Sequence, residues 1–412
     1  MPPFYHRPST SRAPRLPPFL FTLSHAVPVG SSAMSSQPEP SAPARKTRVL
    51  ILFGGRSGEH VISCATAGGV MRAIDRERYE VIPVGITKAG QWVLAADEPE
   101  RWEITPGNLP EVTATGGEVL LPLAVGQRAL RVLEPGEFPR ELGEVDVVFP
   151  LLHGPFGEDG TLQGLLELAD VPYVGAGVLA SAVGMDKQFM KLVLAGQGLP
   201  IAPYTVIRPG EWDRNPAAWT ETVAGLGLPV FVKPARAGSS LGITKVDDLA
   251  DLPAAIAEAR RHDPKVLVEA GVVGREIECA VLGGREGERP RASLPGEIVV
   301  TDAHHDFYDF EAKYLDEAGV ELSCPADLPP HLVDEVRDIA VRTFEAVGAE
   351  GLSRVDVFVT TDGQVIVNEI NTMPGFTPFS MYPRMWEKSG ITYPELIDEL
   401  IQLALQRPTG LR

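Results

Sequence analysis

The sequence predicts a multidomain α/β protein. Buried apolar strands alternate with helical segments from residue 47 onward, and a glycine-rich turn joins the first strand to the first helix. Another strand follows that helix, so the region opens with a βαβ unit. Near the carboxyl end, two apolar, β-branched runs flank a turn dipeptide and predict a β-hairpin. The length of 412 residues suggests two to four domains.

Composition narrows the class of protein and its partners. The chain is 44% hydrophobic and 22% charged, as is typical of a globular protein. Its net charge of −18 argues against nucleic acid or an anionic membrane as the main partner, and no apolar run is long enough to span a bilayer. The three cysteines, Cys64, Cys279 and Cys324, are far apart, which favours a reduced, cytoplasmic setting.

Residues 1–45 differ from the rest of the chain. They are rich in Pro, Ser and Ala without periodicity, which predicts a disordered tail. A signal peptide is the alternative, because a short apolar run at 18–23 follows Arg12 and Arg15. That run is too short and too interrupted by proline to favour it. Met34 is a second plausible start, since a polar tail begins there as well.

The first structured region ends two predicted strands in loops suited to ligands. A strand at 47–53, a glycine-rich turn at 54–58, a helix at 59–74 and a strand at 79–86 come first. Such a turn points backbone N–H groups at an anion, although it lacks a full G-x-G-x-x-G pattern. A strand at 145–152 then leads into a loop that contains His153. Ligands of open α/β sheets lie at these strand ends, so His153 is either a ligand contact or a turn histidine.

The middle region carries lysines and a loop of small residues. A predicted helix at 178–195 contains Lys187, and a strand at 230–234 ends near Lys233. The loop at 235–242 consists mainly of small residues whose amides can close over a phosphate. A strand at 265–270 contains Glu269, and Glu276 follows after a short turn. These two glutamates are candidates for an adenine or ribose edge.

Residues 301–325 lack clear periodicity but contain several aromatic residues. A long irregular loop inside a compact domain is usually functional or disordered. The aromatic residues argue against disorder, so this segment is predicted to be a lid over a site. A helix is expected at 329–347, a loop at 376–383 and a closing amphipathic helix at 393–406.

The hairpin at 354–375 is the strongest candidate for a metal site. If residues 362 and 363 form a two-residue turn, Asp356 lies opposite Glu369 and Arg354 lies opposite Asn371, all on one face. Two facing carboxylates repel each other, and a divalent cation such as Mg²⁺ between them removes that cost. The alternative is a solvated charged face, which the otherwise apolar strands disfavour.

Six segments occur together in an order and spacing that make chance an unlikely explanation: FGGRSGEH (53–60), HGPFGEDGTLQG (153–164), MDK (185–187), VKPARAGSSLG (232–242), FYDFEAKY (307–314) and residues 354–380. With them the chain resembles the D-alanine–D-alanine ligases of the ATP-grasp superfamily over residues 45–406. The resemblance implies a three-domain ATP-grasp ligase with a Rossmann-like N-terminal domain. After the tail, the expected domains are an N-terminal substrate domain at 46–174, a small ATP-grasp domain at 175–271 and a catalytic domain at 272–407.

The resemblance also implies a role for individual residues. Those expected to act on the reacting groups are Glu59, Ser239, Tyr314, Arg354 and Gly375. Those expected to bind ATP are Lys187, Lys233, Ser240, Glu269, Val272, Glu276 and Lys313. Those expected to bind the amino-acid substrates are His153, Ser380 and Met381, and the metal ligands are Asp356, Glu369 and Asn371.

The activity implied by the resemblance is ATP-dependent ligation of two D-alanines through an acyl phosphate, for peptidoglycan synthesis. It implies ATP as co-substrate, two Mg²⁺ or Mn²⁺ ions, and a cytoplasmic homodimer. Three rivals remain: a ligase that takes D-lactate or D-serine second, another carboxylate–amine ligase, and a non-catalytic or dehydrogenase-like nucleotide binder. The lid residues disfavour the lactate type, Glu59 and His153 disfavour the second rival, and the metal hairpin disfavours the third.

Overall fold

The computed structural model describes residues 45–105, 107, 109–285, 287–300 and 320–410. From Lys46 onward the chain forms one compact unit, and the described strands form three sheets. The strands are β1 (Thr47–Gly54), β2 (Tyr79–Ile86), β3 (Trp92–Leu94), β4 (Glu118–Leu120), β5 (Ala129–Leu133), β6 (Arg140–Glu144), β7 (Val147–Pro150), β8 (Tyr204–Ile207), β9 (Val230–Pro234), β10 (Thr244–Val246), β11 (Val266–Ala270), β12 (Gly274–Leu282), β13 (Arg291–Ala292), β14 (Gly296–Val300), β15 (Val320–Ser323), β16 (Leu352–Thr360) and β17 (Val365–Asn371).

The helices connect and cover these sheets. They are α1 (His60–Ala73), α2 (Thr161–Leu168), α3 (Val178–Met185), α4 (Lys187–Gly196), α5 (Glu211–Arg214), α6 (Pro216–Ala224), α7 (Leu252–Arg260), α8 (Pro330–Ala346), α9 (Met381–Lys388) and α10 (Tyr393–Gln406). None of the helices in the described ranges is long and apolar enough to cross a membrane.

The first sheet has seven strands in the order β6-β5-β4-β3-β2-β1-β7. β1 is parallel to β2 and to β7, which confirms the predicted βαβ unit. The apolar run from Val49 to Phe53 is fully buried at the centre of this sheet. Because β1 and β7 are parallel neighbours, the glycine-rich turn after β1 and the loop after β7 lie at the same edge.

The second sheet is antiparallel, with the order β10-β9-β11-β8. On its apolar side, Val232 and Val268 form one buried cluster with Ile256 of α7. β9 and β11 are direct neighbours, and Lys233 lies opposite Leu267. Because the two strands are antiparallel, Glu269, two residues beyond Leu267, lies on the same face as Lys233 and is its diagonal neighbour.

The third sheet has the order β15-β14-β12-β16-β17, with β13 paired to β12. One face packs against α8, whose buried side chains include Val336, Ala340 and Phe344. Along β16, residues alternate between buried and partly exposed, as period-2 side-chain alternation requires. The partly exposed face carries Arg354 and Asp356 and turns toward the other two sheets.

The hairpin β16–β17 confirms the predicted pairing at its site end. Arg354 lies opposite Asn371, and Asp356 lies opposite Glu369. The predicted two-residue turn is wrong, because the N–H of residue 360 donates to the carbonyl of residue 364 at 3.0 Å and leaves residues 361–363 as a three-residue loop. Such loops are the next most common hairpin connection after two-residue turns.

A β-bulge in β17 explains why the register still agrees. Val357 pairs with Val367, whereas Asp356 pairs with Glu369, so Asn368 is the extra residue. The extra residue offsets the longer turn. Val367 and Ile370 therefore face the core, while Asn368 and Glu369 both lie on the partly exposed side.

Three other predictions differ from the structure. The single helix expected at 178–195 is two helices, because Asp186 is extended and its side chain accepts from the N–H groups of Gln188 and Phe189 as the N-cap of α4. The loop expected at 376–383 contains the start of α9, which tolerates Pro383 in its first turn. Part of the predicted lid is strand β15; residues 301–319 lie outside the described residues.

Candidate functional site

The hairpin face supplies the first part of the site. Arg354 donates to both carboxylate oxygens of Asp356, at 2.7 Å each. Asn371 Nδ2 donates to Asp356 Oδ2 at 2.9 Å. The strand register brings these side chains together, so three of the predicted residues form one hydrogen-bonded group.

Glu278 extends this face and was not predicted from the sequence. It lies on β12 directly opposite Asp356, it is 4% exposed, and its Oε1 is 3.2 Å from Arg354 Nε. Burial lowers the pKa of Arg354, but Asp356 and Glu278 outweigh burial and the pKa lies well above its usual value. The guanidinium is therefore a fixed positive charge beside a row of three carboxylates on adjacent strands, ending at Glu369.

Two predicted lysines approach the hairpin from the middle region. Lys187 Nζ donates to Ala237 O at 2.8 Å and lies 3.5 Å from Glu369 Oε2. Lys233 Nζ donates to Glu269 Oε2 at 2.9 Å and reaches Asn368 Oδ1 at 3.5 Å. The bulged residue is thus the contact between Lys233 and the hairpin. Both lysines are largely buried, and such ammonium groups can donate strong, charge-assisted hydrogen bonds to an anion.

A third lysine completes a buried ion cluster. Lys191 is 1% exposed and pairs with Glu269 Oε1, so Glu269 lies between Lys191 and Lys233. Burial lowers the pKa of Lys191. Burial raises the pKa of Glu269, but the two lysines outweigh it and the pKa lies below its usual value. Lys191 follows Lys187 by one helical turn, and that spacing on one face was the available sequence signal.

The loop between β9 and β10 joins the lysines to the first sheet. Ser239 and Ser240 have φ values of 49° and 55°, a left-handed conformation that residues other than glycine seldom adopt and that clusters at ligand clamps. Ser239 Oγ donates to Glu59 Oε1. This contact joins two of the residues that the resemblance assigned to the reacting groups.

Glu59 is held at the start of α1 by the two loops of the first sheet. Its N–H donates to Ser57 Oγ at 3.2 Å, and Ser57 Oγ donates to His153 O at 2.7 Å. Gly154, at φ 74°, lies so close that a Cβ there would be 2.5 Å from Glu59 Oε2. Only glycine fits at this position without moving the carboxylate.

His153 is buried and contacts the backbone of the segment that follows β17. Its Nδ1 is 3.1 Å from Met373 O, and its Nε2 is 3.4 Å from Thr66 Oγ1. A carbonyl oxygen only accepts, so Nδ1 carries the proton and Nε2 is the acceptor in the neutral ring. Burial lowers the pKa of His153, which favours that neutral form. His153 also lines a cavity of about 530 Å³ beside the glycine-rich turn.

The remaining predicted residues come from other segments of the chain. Val272 lies in the short connection between β11 and β12, and Glu276 lies near the start of β12. Ser380 precedes α9 and its Oγ accepts from Thr377 N at 3.1 Å, while Met381 is buried in the core, close to Gly296. Gly375 is partly exposed in the turn after β17. Lys313 and Tyr314 lie outside the described residues.

The hairpin side chains suit a magnesium ion shared with a phosphate ligand. Asp356, Glu369 and Asn371 offer carboxylate and amide oxygens, and Mg²⁺ is usually bound by one or two carboxylates together with substrate phosphates. No cluster of three or more His, Cys, Asp or Glu side chains within the described ranges could hold a metal alone. Here Arg354 and Lys187 lie against the two carboxylates, so the donor set fits ions that arrive with their own anions.

Three sheets that meet at buried lysines, a phosphate-type loop and a carboxylate hairpin define an ATP-grasp enzyme. Residues 48–176 match the family model described as D-ala D-ala ligase N-terminus, and residues 193–402 match the model of the D-ala D-ala ligase C-terminus. The chain belongs to the D-alanine–D-alanine ligase family, which confirms the resemblance found in the sequence.

Known relatives agree over nearly the whole chain. The D-alanine–D-alanine ligase of Kineococcus radiotolerans is 63% identical over 92% of this chain and 100% of its own. That of Pseudarthrobacter chlorophenolicus is 61% identical over 89% and 96%. Among solved structures, the Coxiella burnetii D-alanine–D-alanine ligase has a TM-score of 0.70 at 36% identity, covering 88% of this chain and 94% of its own. The VanG D-Ala:D-Ser ligase of Enterococcus faecalis has a TM-score of 0.73 at 34% identity, covering 87% and 100%.

Proposed function

We propose that this chain joins two D-alanines into D-alanyl-D-alanine, with conversion of ATP to ADP and phosphate, for peptidoglycan synthesis. The observation that carries the proposal is that Lys187 and Lys233 approach the carboxylate hairpin. On the loop between β9 and β10, Ser239 donates a hydrogen bond to Glu59. Such a site offers phosphate-binding cations beside a group that can hold an ammonium. The names of the relatives supply the identity of the amino acid.

The first step proposed for this site activates a carboxylate. The carboxylate oxygen of the first D-alanine attacks the γ-phosphorus, the bond to the β,γ-bridging oxygen breaks, and ADP leaves with that electron pair. Phosphoryl transfer needs chiefly alignment and charge neutralisation. Lys187 and Lys233 would contact the phosphates, under the amides of the loop that carries Ser240, and Glu269, Val272 and Glu276 would hold adenine and ribose. Magnesium ions on Asp356, Glu369 and Asn371 would supply further charge neutralisation.

Glu59 is the residue proposed to hold the first D-alanine. Its carboxylate would bind the substrate ammonium, so that the substrate carboxylate points toward the γ-phosphate. The hydrogen bond from Ser239 fixes one carboxylate oxygen, and Ser57 fixes the backbone of the same residue. A charge held in place before the substrate arrives costs little reorganisation. His153 would complete this part of the substrate site.

The second step forms the peptide bond. The deprotonated amine of the second D-alanine attacks the acyl carbon, and collapse of the tetrahedral adduct expels inorganic phosphate. Negative charge builds on the carbonyl oxygen, where Arg354 and the Gly375 amide are proposed to stabilise it. Ser380 and Met381 would shape the second amino-acid pocket. Lys313 and Tyr314 would close the site from the lid, because an acyl phosphate must be protected from water.

We also propose a homodimer in a reducing, cytoplasmic setting. All three cysteines are free, as a reducing compartment favours. On the neighbouring helices α2 and α3, Leu168 is 68% and Leu179 is 71% exposed, and Phe156 nearby is 46% exposed. Apolar side chains grouped on a surface often mark an interface. In light scattering, the wild type should have the mass of a dimer, and Leu179→Glu should show a larger monomer fraction. If both proteins have the mass of a monomer, this proposal is contradicted.

An amino-acid panel tests the activity. Purified protein with Mg-ATP is given D-alanine, D-serine, L-alanine, or D-alanine with D-lactate, and ADP and products are measured. D-Alanine alone should support ADP release with an equal yield of dipeptide. ADP release that does not depend on D-alanine would contradict the proposal, and a preference for D-serine or D-lactate as second substrate would reassign the second pocket.

A further inference from the structure

The backbone of Met373 is held at both of its polar atoms by side chains of the loop after β7. Its N–H donates to Glu158 Oε1 at 3.2 Å, and its carbonyl oxygen accepts from His153 Nδ1 at 3.1 Å. The other oxygen of Glu158 accepts from the N–H of Gly154. The loop that follows β7 of the seven-stranded sheet therefore holds, by hydrogen bonds, the backbone shortly after β17 of the third sheet.

These hydrogen bonds restrict the backbone that leads to Gly375. Pro374 has a fixed φ, and a residue that precedes proline is restricted to extended conformations, so few torsions stay free between Met373 and Gly375. On the far side, Phe376 is fully buried with its ring 6.0 Å from that of Phe149. Tyr393 Oη donates to the carbonyl of Phe376 at 2.7 Å. Gly375 thus lies between two anchored residues.

We propose that Glu158 is a positioning residue for transition-state stabilisation: together with His153 it fixes Met373, and thereby the Gly375 N–H at the developing oxyanion. The inference rests on the proposed function, because Gly375 has this role only in that reaction. A donor that is aimed in advance needs no reorganisation when charge develops. Glu158 touches no reacting atom in this scheme and acts through the backbone.

The two hydrogen bonds that Glu158 accepts distinguish glutamate from glutamine at this position. Each oxygen of Glu158 accepts one N–H, from Gly154 or from Met373. Glutamine offers one acceptor oxygen and an NH₂ group, which would face an N–H donor. Burial and the charge of Glu59 raise the pKa of Glu158 to about 8, whereas the two N–H donors oppose that rise. In either protonation state both oxygens keep lone pairs for these donors.

The test separates the two half-reactions. Glu158→Gln and Glu158→Ala are compared with wild type and with Glu141→Gln, a control that alters an exposed carboxylate on β6. ¹⁸O positional isotope exchange in ATP with D-alanine reports acyl-phosphate formation, and dipeptide release reports the complete reaction. We expect dipeptide kcat to fall about 100-fold in Glu158→Ala and less in Glu158→Gln, as for a misplaced oxyanion donor. Exchange and the KM for ATP should stay near wild type.

Two outcomes would overturn the inference. An unchanged dipeptide kcat in both variants would do so, and so would a parallel loss of exchange and dipeptide, which a merely structural role predicts. If Glu158→Ala does not fold, the volume-matched Glu158→Gln decides by the same criteria. A wild type without D-alanine-dependent ADP release would overturn the proposed function and this inference together, whereas unchanged variants beside an active wild type would overturn this inference alone.

Discussion

Replacing Gly154 with alanine is expected to displace Glu59 and to lower kcat/KM for the first D-alanine by about 100-fold. The added Cβ would lie 2.5 Å from Glu59 Oε2 and 3.3 Å from Ser57 Cβ, whereas ordinary contact begins near 3.4 Å. The carboxylate must then move by about 1 Å, and a misplacement of that size can cost about 100-fold in rate. The same substitution forces alanine into the left-handed region at φ 74°, which costs about 1–2 kcal/mol of unfolding free energy.

Gly126 provides a matched control for the backbone cost. It has φ 79°, and a Cβ there would meet nothing within 4 Å. Gly126→Ala should therefore lose a similar amount of stability in urea unfolding and keep wild-type activity. The activity assay is ADP release against D-alanine concentration at saturating ATP. Wild-type kcat/KM in Gly154→Ala would refute the steric argument, and an equal activity loss in both variants would assign the effect to backbone strain instead.

Further predictions concern the ion clusters. Lys191→Met should lower the free energy of unfolding by up to about 3 kcal/mol, the low end for a broken buried pair, because Glu269 keeps a second lysine. The control Lys245→Met removes a partly exposed lysine that pairs with an exposed aspartate, and it should change the free energy of unfolding by about 0–1 kcal/mol. Equal effects of the two substitutions in denaturant unfolding would contradict the burial argument. Glu369→Gln should nearly abolish turnover while the fold is kept; Mg-ATP binding at wild-type strength with an unchanged melting temperature would argue against the metal assignment. Between about pH 5 and 8 the folded state should bind more protons than the unfolded state at Glu158, since burial raises its pKa to about 8, so this group's stability contribution falls as pH rises. The unfolding free energy of Glu158→Gln relative to wild type should rise over that range, and a pH-independent difference would count against the raised pKa.

The sequence alone was sufficient for the features that depend on local pattern. Alternation and the βαβ spacing predicted β1, β2 and β7, and the apolar runs of the hairpin predicted that Asp356 faces Glu369. Agreement of the register had a second cause that the pattern did not reveal, because the turn is one residue longer and Asn368 bulges out to compensate. Turn length and bulges depend on packing against neighbouring strands, which a single strand pattern does not encode.

The residues missed from the sequence are those whose role comes from distant contacts. Glu278 becomes part of the site because β12 pairs with β16, and Glu158 does so because the loop after β7 meets Met373, 215 residues further along the chain. Each resembles an ordinary glutamate in its own segment. By contrast, Lys191 follows Lys187 by one turn of α4, and a search for a second lysine on that helix face would have found it.

The bulge at Asn368 has a consequence for how densely one strand can carry polar groups. A regular strand turns every second side chain to a given side, so four consecutive residues contribute two. With the extra residue, Asn368, Glu369 and Asn371 all lie on the side that faces Lys187, Lys233 and Asp356, while Ile370 stays in the core. A short segment of backbone thereby concentrates three oxygen-bearing groups where a highly charged co-substrate would be neutralised. Removing one residue from this strand would change the chemistry of the site even if every hydrogen bond of the sheet were restored.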